Sequence, residues 1–245
     1  IGCEELPAAQ LPKLIQDFST KVDVFLQQAR LDYRSECLQV LSTPRRLAAL
    51  CTNLSTRQPD LTATREGPSF AKAVGKDGQP TPAAVGFAKA CGVEVADLMV
   101  QVDQNKPEQR LVAEVTTVGQ TAQDYLEKHL PKMLTTWSGY KLMRWGDGEY
   151  SFLRPVQGLI VMLDNQVVPC SAFGIVASNQ VHGHRVHCPK VLTLGAAGDY
   201  LEVLQKQGRI NPDIDKRKAD IQAGLHAQLA VGERLEDNPE LLTEV

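Results

Sequence analysis

Three histidines and a cysteine fall within seven positions of VHGHRVHCP, residues 181–189. A zinc site needs three or four such ligands converging tetrahedrally. On an extended strand His182 and His184 share a face, while Arg185 and His187 lie near or on the other. The pair can share a metal only with further ligands from elsewhere. Arg185 sets a fixed positive charge beside any such cation, and Pro189 ends the strand directly after Cys188. The same residues suit an anion better. His184 and Arg185 offer ring and guanidinium donors for a phosphate or carboxylate. Gly183 lets a ligand or a neighbouring backbone approach. No metal is expected here. The plain alternative is a polar strand on a wet surface.

Other cations recur at short intervals. Arg45 and Arg46 follow Pro44 at a turn into a strand, so alternation sends them to opposite faces. One can pair with an internal carboxylate while the other reaches outward to a phosphate or a partner's acid. A solvated strand start is the bland reading. In KLMRWG, a helical turn over 141–146 would put Lys141 and Arg144 on one side. Beside Trp145 they suit RNA, through phosphate neutralisation and stacking. They equally suit a structural corner with an aliphatic stem laid on the indole. Arg154 precedes Pro155 and is held extended, where it can meet Glu4 or Glu5. Glu4 and Glu5 point apart on an extended chain, so they do not share a proton; one of them fits the positive N-terminus of the following helix. There is no GxSxG elbow and no P-loop. Cys3 beside acids has its thiolate disfavoured. No catalytic residue is expected. The run DKRKAD (215–220) reads as a solvated helix face.

These side chains need a scaffold. Leu11, Leu14, Ile15, Phe18, Val22, Phe25, Leu26 and Ala29 recur in steps of three and four, predicting an amphipathic helix over 8–31 with Pro12 in its first turn. CLQVL (37–41) and RLAALCTNL (46–54) predict strands joined at Thr43-Pro44. Residues 66–98 read as short helices around a GKDGQP turn, with Thr81 as N-cap and Gly92 as terminator. LMVQV (98–102) and RLVAEVTTV (110–118) predict a hairpin across a Pro/Asn turn. A helix over 122–137 is expected to kink or break at Pro131. Tyr150–Val186 is strand-rich, with a tight turn at Asp164-Asn165. Helices follow over 198–209 and 213–230. Helices and strands in segregated runs predict an α+β fold, with a mostly antiparallel mixed sheet, packed helices and a small helical insert. Residues 1–205 form an α+β N-terminal region in this reading, with the insert at about 66–98. Residues 206–245 begin a helical region beyond it.

The 245 residues are 43% hydrophobic and 22% charged with net charge −3. That balance exerts no global pull on nucleic acid, so any such contact rests on local basic patches. Six scattered cysteines without a CxxC pair read as reduced thiols of a cytoplasmic protein. No apolar run reaches the ~20 residues of a membrane span. The chain opens on Ile1-Gly2 and closes on LLTEV, which reads as a piece of a longer protein.

IGCEELP, STPRRLA (42–48), GPSFAKA, AAVGFAKACGV, KLMRWG, FLRPV (152–156) and GHR (183–185) occur in that order across the whole chain. Together they resemble the N-terminal part of the β subunit of the bacterial-type, two-subunit glycyl-tRNA synthetase. The resemblance implies an α2β2 heterotetramer whose α subunit activates glycine with ATP and Mg. It implies a β subunit needed for tRNA(Gly) engagement and full activity. This piece would then be non-catalytic, with partners in the α subunit and tRNA(Gly) and none in DNA or a membrane. Contacts to RNA or the partner subunit fall to Arg45, Arg46, Lys141, Arg144, Trp145, Arg154, His184 and Arg185. A weaker likeness to the editing-type domain of the phenylalanine enzyme's β subunit implies an alternative, a hydrolase of mischarged tRNA. A zinc domain on His182 and His184 is the other. The family usually opens GTEELP, whereas Cys3 stands at the threonine here. After GHR it tends to Phe, whereas Val186 follows here. His182, His187 and Cys188 have no counterpart in that pattern, which puts a family-wide metal role in doubt.

Overall fold

The structure is a computed structural model that describes residues 1–75, 78–102, 109–236 and 238–244. The chain divides into two compact units, residues 1–58 with 121–245, and residues 59–120. Each is α+β.

The first unit opens with strand β1 (Gly2–Cys3) and helix α1 (Leu11–Gln28), entered through a 3-10 turn and with Pro12 in its first turn. Leu14, Phe18, Val22, Phe25 and Leu26 are the buried face of α1, spaced as a 3.6-residue period requires. Each such side chain contributes on the order of 1.5–3 kcal/mol when removed from water. β2 (Leu38–Thr43) and β3 (Arg46–Cys51) form a hairpin that pairs from Leu38–Cys51 to Thr43–Arg46. Pro44 and Arg45 make its two-residue turn, one residue later than the expected Thr43-Pro44, because Thr43 still pairs with Arg46 as the last residue of β2.

The second unit carries β4 (Leu61–Ser69), α2 (Phe70–Ala73), α3 (Pro82–Cys91), β5 (Met99–Val102) and β6 (Gln109–Thr117). Its sheet runs β4-β6-β5, antiparallel throughout. The expected hairpin of β5 and β6 is present; its Pro/Asn turn lies outside the described residues, as do Lys76 and Asp77 of GKDGQP. The stretch 66–69, read as helical, is the end of β4. That strand is exposed over its first six residues, so no apolar alternation betrays it. Thr81 stands at the N-cap of α3, yet its hydroxyl donates to the Lys72 carbonyl at 2.7 Å instead of capping. Gly92 ends α3 in the left-handed conformation, φ 71°, which glycine adopts without a Cβ penalty. Ala73, Ala84 and Leu111 form the small core.

The chain re-enters the first unit where Arg57 bridges Thr121 and the Ala122 amide donates to Thr56 at 2.8 Å. α4 (Ala122–Thr135) is capped by the Thr121 hydroxyl and runs uninterrupted through Pro131. Short antiparallel pairs follow: β7 (Met143–Arg144) with β8 (Ser151–Phe152), then β9 (Val156–Gly158) in the main sheet. β10 (Met162–Leu163) turns at Asp164-Asn165 into β11 (Gln166–Val167), and β12 (Ser171–Ala172) pairs with β13 (Ile175–Val176). β14 (Gln180–His182) pairs with β15 (Val191–Thr193). α5 (Tyr200–Glu202) widens into a π turn, Val203–Gln207. α6 (Ile214–Ala227) and α7 (Pro239–Glu244) follow. The main sheet has the order β2-β3-β1-β9. Cys3, Leu47 and Leu159 face the core shared with α1 and α4. Leu41, Ala48 and Ile160 face a second core with Val181, Leu194, Tyr200 and Leu204.

Candidate functional site

Four of the motifs meet in the first unit. β3 of STPRRLA, β1 of IGCEELP and β9 following FLRPV lie side by side in the main sheet. Their register sets Arg46, Gly2 and Gly158 in one row across it. β14, which leads into GHR, reaches this row through a hydrogen bond from Arg46 Nη2 to the His182 carbonyl at 3.1 Å.

Arg45 and Arg46 diverge as alternation requires. Arg45 Nη2 pairs with Glu4 Oε2 at 2.8 Å, in a half-buried ion pair. Glu4 also accepts from Gln157 Nε2. Glu4 is therefore engaged by the sheet, and no acid stands in the first turn of the following helix. Arg46 is only 9% exposed and turns into the second core. Its Nη1 finds no acceptor among the described residues. Burial depresses its pKa, partly offset by the nearby Tyr200 phenol. Arg154 is exposed and donates Nε to the Glu5 carbonyl at 2.9 Å, to backbone rather than to a carboxylate.

KLMRWG is not a helical turn. Met143 and Arg144 are strand, paired with Phe152 and Ser151. Gly146, at φ 56°, begins the reversal after it. Lys141 and Arg144 are exposed. Trp145 is half-buried against the core, its ring 6.4 Å from that of Phe173. The pairing with β8 replaces the helical spacing on which a shared Lys141–Arg144 face would depend.

The histidine cluster also departs from a strand. β14 ends at His182, and 185–187 is a turn. His184 Nδ1 accepts from the Val186 and His187 amides, each at 3.1 Å. The His184 amide donates to the Gly208 carbonyl at 2.7 Å. His184 thus closes the turn that presents Arg185, which is exposed. A metal on His184 Nδ1 would displace two backbone donors. Among the described residues no three His, Cys, Asp or Glu side chains gather as a metal would need. Gly183 is required by its neighbour: a Cβ there would lie 2.5 Å from the Cys188 carbonyl oxygen.

Two residues escaped the sequence reading. Arg217, inside the DKRKAD run, is not solvated: it donates Nη1 to the Ser42 and Asn211 carbonyls at 3.0 and 2.8 Å. Tyr140 donates to Asp17 at 2.5 Å, and burial, with that hydrogen bond, raises its phenol pKa. Neither contact has a local signal, because Ser42 lies 175 residues from Arg217 and Asp17 lies 123 residues from Tyr140. A cavity of about 1350 Å³ in the first unit has Arg46, Gly2, Gly158, His182 and Tyr200 among its lining residues. Cys3 is a poor nucleophile: burial pushes its thiol up to about 11. The arrangement thus offers anchored cations, two motif-bearing turns and an Arg-lined cavity.

Comparison with known proteins agrees with the motifs. A family model described as glycyl-tRNA synthetase beta subunit matches residues 1–245. A glycine–tRNA ligase beta subunit of Coxiella burnetii (strain Dugway 5J108-111) is 38% identical over 221 residues, covering 90% of this chain and 32% of that protein. One from Acaryochloris marina is 37% identical over 250 residues, covering 100% and 34%. One from Pseudomonas fluorescens is 37% identical over 205 residues, covering 84% and 29%. The chain spans about a third of the length of the relatives it matches.

Proposed function

Because this chain belongs to the glycyl-tRNA synthetase beta subunit family, we propose that it is a non-catalytic part of a glycine–tRNA ligase. It helps the assembled enzyme hold tRNA(Gly) and its α subunit while glycine is activated with ATP and Mg on the α subunit. The assembly works in the cytoplasm.

The observation that carries this reading is the exposure of Lys141, Arg144 and Arg185 on backbone that is itself fixed. β7 is tied to Phe152, a fully buried residue, and the turn bearing Arg185 is closed by His184. Cations on fixed elements neutralise phosphates without first losing backbone freedom. Net charge −3 supplies no general attraction, so affinity must rest on such local groups. Arg45 and Arg154 are already committed to Glu4 and the Glu5 carbonyl. In this proposal they shape the surface and contribute less charge to it.

The test is glycylation by the full α2β2 enzyme carrying Arg144→Ala with Arg185→Ala. The expected result is a raised KM for tRNA(Gly), or loss of α-subunit association, with glycine-dependent ATP–pyrophosphate exchange retained wherever the assembly forms. Unchanged aminoacylation would refute the assignment of these residues.

A further inference from the structure

The row Arg46–Gly2–Gly158 has an unusual charge state. Arg46 is more than nine-tenths buried, yet no carboxylate among the described residues pairs with it. One donor is used on the His182 carbonyl, and Nη1 has no acceptor among the described residues. A buried charge without a counter-charge is among the costliest features a fold can carry. Its usual resolution is an anion.

The neighbouring strands leave room for one. Residues in register across antiparallel strands project to the same face. On that face Arg46 is followed by two glycines, so a strip of bare backbone runs beside the guanidinium. A Cβ at Gly158 would meet no heavy atom within 4 Å, and one at Gly2 only Gly158 backbone, at 3.8 Å or more. Neither glycine has a positive φ. Turn geometry therefore does not demand them, and the absence of side chains is what they supply. The strip lines the 1350 Å³ cavity, together with His182 and the buried Tyr200.

We propose that Arg46, beside the Gly2–Gly158 strip, binds a small oxyanion, a carboxylate or phosphate group, inside the first unit. The site is separate from the surface cations of the proposed function and does not depend on that reading. With Nη2 engaged on the His182 carbonyl, Nη1, which has no acceptor among the described residues, keeps its charged N–H donors for an anion oxygen. One arm is fixed by His182, so the other is pre-aimed.

The experiment uses the full β subunit with its α subunit. Thermal stability is titrated with inorganic phosphate, and separately with acetate, against chloride at constant ionic strength. The variants are Arg46→Met and Gly158→Val. Met removes the charge at similar volume, and Val fills the strip in a strand that tolerates β-branching. The expected result is a saturable rise for the wild type, with an apparent affinity at least tenfold weaker in both variants. Saturation by phosphate and acetate alike marks a general oxyanion site; by one alone, it names the group. If Arg46→Met does not assemble, Gly158→Val still reads the site. Identical responses of the wild type and the assembled variants would overturn the proposal. That includes the case in which another segment of the full protein supplies the counter-charge.

Discussion

Arg46 donates to the His182 carbonyl across 136 residues of chain, at 3.1 Å. This contact joins the arginine pair near the start of the protein to the histidine turn far beyond it. It explains why the turn's backbone must be tight: the strand end is pinned at His182, and Gly183 N bonds Lys190 O at 3.0 Å on the next residue.

Gly183→Ala should therefore loosen this hairpin. Its Cβ would fall 2.5 Å from the Cys188 carbonyl oxygen and 2.8 Å from its sulfur. Overpacking against backbone costs about 1–3 kcal/mol. Hydrogen exchange in the intact β subunit should accelerate over 180–193, where protection reports local opening. Unaltered exchange there would mean that the backbone yields freely.

The Glu4–Arg45 pair should matter less than its motif position suggests. The side chains are 39% and 29% exposed, and partly hydrated pairs are worth about 0–1 kcal/mol. A double-mutant cycle of Glu4→Gln and Arg45→Ala should give a coupling below ~1 kcal/mol. A coupling of several kcal/mol would make the pair a main tie of the sheet.

Phe152→Ala and Arg144→Ala separate scaffold from surface. Phe152 is fully buried, its ring 5.4 Å from Trp137 and 5.5 Å from Phe173. Its truncation should cost about 3–5 kcal/mol, whereas Arg144→Ala should stay within about 0.5 kcal/mol. Chemical denaturation followed by tryptophan fluorescence compares the two. Equal losses would show that Arg144 belongs to the scaffold.

Cys3 should resist alkylation until strongly alkaline pH. Burial raises its pKa from 9.0 to about 11. Above pH 9 the unfolded chain releases this proton while the folded chain keeps it. Stability from this group is therefore complete below pH 9 and falls as pH rises through 11. Iodoacetamide labelling, read by mass spectrometry, should modify the half-buried Cys37, Cys51 and Cys188 first. Rapid modification of Cys3 at pH 8 would contradict the burial.

Local signals carried much of the fold. The period of α1, the Asp164-Asn165 turn and Gly92 each depend on neighbours within a few residues and stand where their patterns put them, while the first hairpin turn falls one residue late, at Pro44-Arg45. β4 escaped because its first six residues are exposed and Thr62 meets Thr116 through hydroxyls, not apolar contact. The alignment of β1 with β3 and β9 escaped because β1 and β9, at two and three residues, are too short to carry a period. Candidate site residues were chosen by type, and the fold then sorted them into exposed and buried. Lys141, Arg144 and Arg185 stayed outside while Arg46 went in. Nothing local marks that difference, since glycines on two other strands make the space Arg46 faces.

The most direct test of the central claim is the salt dependence of tRNA(Gly) binding by the assembled enzyme. Each phosphate contact adds roughly 0.7–0.9 to the slope of log affinity against log salt. Lys141→Ala, Arg144→Ala and Arg185→Ala together should weaken binding and lower that slope by about 2. A slope and affinity equal to the wild type's would place tRNA elsewhere and contradict the account.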